Sequence, residues 1–155
     1  MRESYNVFVC ESVLKEIREH AKPSPTEVGG VLLGDLYEDV GNIEVLGTVR
    51  AKHAISKEFK ITFTAATWRG IKKEKRDKFP DKDILGWYHS HVGKDAQSGF
   101  TFADLDFHQK MFNKDWQVAI VYNAAKDDFT LFKWKAGRIV GDVILLQRGY
   151  ATENK

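Results

Sequence analysis

The chain has 155 residues, 43% of them apolar and 30% charged, with a formal charge of +2 at pH 7. The length and composition predict one globular domain, and so small a charge favours neither nucleic acid nor an anionic membrane as a partner. With one cysteine, no signal-peptide core and no apolar run of membrane-spanning length, the sequence excludes an internal disulfide and predicts a cytoplasmic protein without a transmembrane helix.

Hydrophobic periodicity predicts strands and helices in irregular alternation along the first half of the chain. Apolar residues at helical spacing predict an amphipathic helix over residues 11–22, which ends where Pro23 and Pro25 interrupt the pattern. A mostly apolar, glycine-containing stretch over residues 27–38 indicates a buried central strand. The other elements predicted here are strands over residues 5–9, 43–51 and 58–64, and a helix over residues 64–79 with Thr64 as its N-cap.

In the second half, the predicted elements are a strand over residues 83–91, a helix starting at Thr101 and strands over residues 116–123 and 128–135. In residues 137–150, half of the segment is predicted to be a strand, and the other half is left without an assignment. This order predicts an α/β fold with a mixed, mostly antiparallel sheet flanked by helices. We expect residues 1–150 to form one domain and residues 151–155 to form a disordered tail.

Two histidines, His89 and His91, stand at the end of the predicted strand over residues 83–91. Because side chains alternate along a strand, both point to the same face and can reach one metal ion. A catalytic zinc site needs three protein ligands and an open position. Asp104 is the candidate third ligand, because it lies in the first turn of the next helix, after a flexible loop.

Other interpretations of the same residues remain open at this point. Two histidines at a strand end are also typical of an exposed polar rim, and Thr101 with Asp104 matches a helix capping box. Asp104 and His108, four residues apart on one helical face, form a rival metal pair. A glutamate such as Glu27 at a strand entrance is usually a surface residue.

Together with the upstream stretch EVGGVLLG, the segments GWYHSH and TFADL resemble the signature of the JAMM/MPN+ zinc metalloprotease family. In that family a glutamate opens an apolar, glycine-containing strand, and His-x-His, a loop and Ser-x-x-Asp follow. Glu27, His89 and His91 match the first two parts, and Thr101 with Asp104 matches the last, with threonine in place of serine. The likeness runs from about residue 5 to about residue 134.

This resemblance implies that residues 1–150 form a single JAMM/MPN+ domain with the MPN fold, which is cytidine-deaminase-like. It implies Zn²⁺ held by His89, His91 and Asp104, with a bound water as nucleophile. Glu27 would be the general base, and the Thr101 hydroxyl would donate a hydrogen bond to the attacked carbonyl. The implied reaction is hydrolysis of an isopeptide or peptide bond after the C-terminal glycines of a ubiquitin-like protein, and the implied partners are such proteins or their conjugates.

Two alternatives to this enzyme have different sequence requirements. An MPN-type scaffold that is inactive, or that a partner must activate, has no need for all four of Glu27, His89, His91 and Asp104. A zinc deaminase needs a Cys-x-x-Cys ligand pair, which a chain with one cysteine cannot supply. The sequence therefore favours the metallopeptidase.

The loop after His91 departs from the family pattern, because Val92 stands where a proline is usual. Gly93 and Gly99 lie near the two ends of this loop and give it hinge freedom. We therefore expect residues 92–100 to form a mobile lid that must be fixed before a peptide is aligned.

Overall fold

The computed structural model describes residues 2–57, 60–147 and 150–153. In chain order the elements are β1 Asn6–Cys10, α1 Glu11–Ala21, β2 Gly29–Tyr37, β3 Asn42–Arg50, β4 Ile55–Lys57, β5 Lys60–Thr62, α2 Ala65–Lys78, β6 Asp83–His91, α3 Phe102–Met111, β7 Val118–Asn123, β8 Asp128–Lys135, β9 Arg138–Gln147 and β10 Tyr150–Glu153. No helix within these ranges has both the length and the apolar character needed to cross a membrane.

Eight strands form one curled sheet in the order β1-β10-β9-β8-β7-β6-β2-β3, and β4 and β5 pair separately. The sheet closes on itself because β1 pairs antiparallel with β10 and parallel with β3. Among the described strands of this sheet, β6 and β7 are also parallel, and the remaining neighbours are antiparallel. The predicted α/β fold, with a mixed and mostly antiparallel sheet flanked by helices, is confirmed.

Strand β6 lies between β7 and β2 and is buried on both faces, which explains the continuous apolar run over residues 84–88. On one face Tyr88 packs in a core that includes the apolar side of α1. On the other face Trp87 packs with Ile71 of α2 and with Phe112, the residue that ends α3. Side chains two and four residues after Trp87 share its face, so β6 presents both of its histidines toward α3.

Two regions differ from the sequence-based expectation. The strand predicted over residues 58–64 is the shorter β5, and its partner β4 was not predicted because three residues are too few to show a period. Residues 58 and 59 lie outside the described residues. The half-assigned segment 137–150 contains β9, and β10 overlaps the predicted tail, of which residues 154 and 155 lie outside the described residues.

Gly86 allows β6 and β7 to approach closely, and its replacement should show how much the fold depends on this contact. A Cβ atom at Gly86 would overlap the carbonyl oxygen of Val118 in the neighbouring strand. We expect Gly86→Ala to lower the free energy of unfolding by about 3 kcal/mol, measured by urea denaturation.

Gly70→Ala in α2 is the matched control, because a Cβ there meets no atom within 4 Å. In a helix this change should raise the free energy of unfolding by about 0.5–1 kcal/mol. Equal stability of the Gly86 variant and the wild type would contradict the close packing of β6 on β7.

Candidate metal centre

His89 and His91 lie at the end of β6, and both are buried rather than exposed at a rim. Their side chains point to the same face, as predicted, and their Nε2 atoms are 3.1 Å apart. Ser90, between them, points the other way, where its hydroxyl accepts a hydrogen bond from the backbone N–H of Val28 at 2.9 Å. This bond, together with the pairing of Gly29 with His89, brings the start of β2 beside the histidines.

Asp104, in the first turn of α3, is 3% exposed and contacts both histidines. Its Oδ1 lies 3.0 Å from Nε2 of His89, and its Oδ2 lies 3.1 Å from Nε2 of His91. The capping box is also present, because Oδ2 accepts the backbone N–H of Thr101 and the Thr101 hydroxyl accepts the N–H of Asp104. Asp104 therefore completes the capping box and faces both histidines at once, and the cap holds its carboxylate in place.

The separations of these atoms suit a small metal ion. Ligand atoms bound tetrahedrally at 2.0–2.1 Å are roughly 3.3–3.4 Å apart, close to the 3.0–3.1 Å between the two Nε2 atoms and the Asp104 oxygens. Nδ1 of His91 lies 2.6 Å from the backbone oxygen of Gln97. A carbonyl oxygen only accepts, so Nδ1 of His91 carries a proton, and Nε2 is the ring nitrogen left to face Asp104 and a metal.

Glu27 immediately precedes β2 and is 6% exposed, so it is not the surface residue that its sequence context suggests. Its Oε1 is buried and has no hydrogen-bond partner among the described residues. Burial raises the pKa of this carboxyl to about 7. A buried carboxylate oxygen without a donor is costly, which indicates that a cation or a proton completes it.

Buried Glu27, His89 and His91 lie close enough to bind one metal ion, since one ligand atom from each falls within 4.8 Å of the others. Burial disfavours the charged form of Asp104, but hydrogen bonds from both histidines outweigh it and lower the pKa of the carboxyl. Burial also lowers the pKa of His89. The site thus combines an ionised carboxylate with a neutral imidazole, which is the donor set that zinc takes.

Thr101 stands at the mouth of this site. Its hydroxyl oxygen accepts the Asp104 N–H at 3.1 Å, which leaves the hydroxyl proton available to another acceptor. A cavity of about 480 Å³ opens beside it, lined by Glu27, His91, Thr101 and residues 92–97. A reacting group in this cavity would therefore meet the carboxylate of Glu27 and the hydroxyl of Thr101 together.

The loop over residues 92–100 contacts the neighbouring strand and turn through its second half. Phe100 stacks on Phe132 of β8 at a ring separation of 4.0 Å. The Ser98 hydroxyl donates to Asp128 at 2.9 Å. Gly93 has a φ of +95°, a backbone conformation that favours glycine.

His108, the second member of the rival metal pair, is fully buried. Its Nδ1 accepts a hydrogen bond from the indole N–H of Trp87 at 2.9 Å. Trp87 in turn stacks on His89 with a ring separation of 4.4 Å and an interplanar angle of 6°. Sequence reasoning missed this support, although the two-residue spacing of Trp87 and His89 on one strand was a signal for it.

Comparison with known proteins agrees with this geometry. The model of a family described as JAB1/Mov34/MPN/PAD-1 ubiquitin protease matches residues 2–115, nearly three quarters of the chain. The matched range contains Glu27, His89, His91, Thr101 and Asp104 and ends before β7. No curated protein matches the chain.

Proposed function

The chain belongs to the JAB1/Mov34/MPN/PAD-1 ubiquitin protease family, and on this premise we propose that it is a zinc-dependent isopeptidase. Its reaction is hydrolysis of an isopeptide or peptide bond after the C-terminal glycines of a ubiquitin-like protein. The observation that carries the proposal is the buried oxygen of Glu27, which has no partner in the described part of the chain and lies beside the converging His89, His91 and Asp104.

His89, His91 and Asp104 are the proposed zinc ligands, and Glu27 is left to handle protons. Zinc bound there would supply a water of pKa near 7 and polarise the carbonyl of the scissile bond. Glu27 accepts the proton of the attacking water and passes it to the leaving amine, a role that suits a carboxyl whose pKa burial raises to about 7. The Thr101 hydroxyl donates to the carbonyl oxygen as negative charge develops on it.

The substrate class follows from the family and from the shape of the cavity. An opening of about 480 Å³ between Glu27 and the loop after His91 suits an extended, narrow peptide tail better than a folded surface. We place the protein in the cytoplasm, since its lone Cys10 gives it no internal disulfide. Ubiquitin-like proteins or their conjugates are the proposed partners.

An inactive or partner-activated scaffold is the second candidate function. The attached loop over residues 92–100 already has its hydrogen bonds in a single chain, so a partner is not needed to make them. A scaffold would also gain nothing from a buried carboxylate oxygen that finds no donor among the described residues. Both observations favour the active enzyme.

Metal analysis and an assay on ubiquitin-like fusions test the proposed function directly. We expect about one zinc per chain, the number that one three-ligand centre holds. The purified protein should release the segment that follows the C-terminal glycines of a fusion, lose this activity to a chelator and regain it with Zn²⁺. A zinc-loaded chain that binds the fusions without cleaving them would instead support the scaffold.

A further inference from the structure

We infer that Asn123, at the end of β7, is a positioning residue for His91, acting through the loop that follows His91. This inference rests on the proposed function, because it gives the His91 imidazole a role at the metal. Asn123 lies beyond residues 2–115, the range that the family model matches. Asn123 is not among the residues that line the cavity beside Thr101, so it acts only by holding the loop and the backbone of His91.

Asn123 is completely buried, and its side chain uses every hydrogen bond that an amide can form. Its Nδ2 donates to the backbone oxygen of Ala96 at 2.9 Å and to the Ser98 hydroxyl at 3.1 Å. Its Oδ1 accepts from the backbone N–H groups of Ala125 and Lys126 at 3.0 and 3.2 Å. The amide orientation is forced, because a carbonyl faces one end and two N–H groups face the other.

The two loop residues that Asn123 holds flank Gln97, whose backbone oxygen accepts from Nδ1 of His91 at 2.6 Å. Ser98 is also held from another direction, because its hydroxyl donates to Asp128 at 2.9 Å. The carbonyl of Gln97 is therefore fixed from both sides. This fixed carbonyl keeps the proton of His91 on Nδ1 and turns Nε2 toward Asp104.

The same short segment also holds the backbone of His91. Asn123 is the residue paired with His91 in the parallel ladder of β6 and β7. The next backbone N–H, that of Ala124, donates to the carbonyl oxygen of His91 at 3.0 Å. The end of β7 thus fixes both the main chain of His91 and the carbonyl of Gln97, which contacts the His91 ring.

Only an amide fits this position, which makes the inference testable with Asn123→Asp. The aspartate keeps the size and the acceptor toward Ala125 and Lys126 but cannot donate to Ala96 or Ser98. Removing an outer partner of a ligating histidine typically costs 10–100-fold in metal affinity. We expect a loss of zinc affinity in this range and a smaller loss for Ser98→Ala.

Two measurements on the full chain decide the matter. Zinc affinity is measured by competition with a chromophoric chelator, without any substrate. Loop release is measured as trypsin cleavage after Lys94, an exposed residue of the loop, relative to cleavage elsewhere in the chain. Asn113→Asp, an exposed site outside the loop, makes the same change of charge and serves as control.

The expected result is at least tenfold faster cleavage after Lys94 together with the loss of zinc affinity in Asn123→Asp, and wild-type behaviour in Asn113→Asp. Zinc affinity within twofold of the control overturns the inference, whether or not cleavage accelerates. If Asn123→Asp does not fold, Ser98→Ala decides: a loss of zinc affinity of more than twofold supports the inference, and a value within twofold of the control overturns it. A chain that binds zinc but cleaves no fusion contradicts the proposed function and leaves this test intact.

Discussion

Glu27→Gln is expected to lower the hydrolysis of a ubiquitin-like fusion by on the order of a hundredfold or more, while zinc content stays near the wild-type level. Glutamine keeps the shape of Glu27 and its capacity to accept hydrogen bonds, but it cannot take a proton from water. The measurement pairs steady-state kinetics with metal analysis of the same sample. Glu19→Gln, an exposed change on α1, is the matched control.

The pH dependence of the wild type should carry the same signature. Burial raises the pKa of Glu27 to about 7, and a bound cation nearby would lower this pKa. Glu27 therefore becomes ionised, and able to act as a base, as the pH rises through a value at or below about 7. The rate should therefore rise with pH to a plateau, and Glu27→Gln should lack this limb. Wild-type activity in the variant would exclude Glu27 as the base, and loss of zinc would make it a ligand.

Local chemistry explains which parts of the fold could be predicted from the sequence. The N-caps Thr64 and Thr101 were predicted correctly, because a cap depends on a hydroxyl and a backbone N–H three residues away. The bounds of β6 were also correct, since a buried strand between turn residues is a local pattern. Closure of the sheet was not predicted, because the pairing of β1 with β3 and β10 depends on distant residues.

In the candidate site too, features set by local sequence were predicted, and features set by distant residues were not. Alternation along a strand was enough to place His89 and His91 on one face. Glu27 was assigned only through the family resemblance, because its approach to the histidines depends on the bond between Val28 and Ser90, which are 62 residues apart. The hydrogen bonds from Asn123 to Ala96 and Ser98 were also missed, because they join residues distant in the sequence. A polar residue that ends the apolar strand β7 was a visible signal for them.

Asp104→Asn is expected to reduce zinc affinity by at least about a hundredfold, since loss of an outer partner alone costs 10–100-fold. Asparagine can still accept the Thr101 N–H, so the start of α3 should be preserved while the negative charge between the histidines is lost. His89→Ala should have an effect of the same size, because it removes an imidazole whose Nε2 lies 3.0 Å from Asp104. Both are measured by competition with a chelator.

Asp106→Asn is the control, because Asp106 lies on the same helix but is exposed and paired with Lys110. It makes the same change of charge two residues from the site and should keep wild-type zinc affinity. The structure also permits a second ligand set, in which Glu27 replaces Asp104 beside the two histidines. That set predicts the reverse pattern, with zinc retained in Asp104→Asn and lost in Glu27→Gln, and this result would move Glu27 from the proton-handling role to the metal.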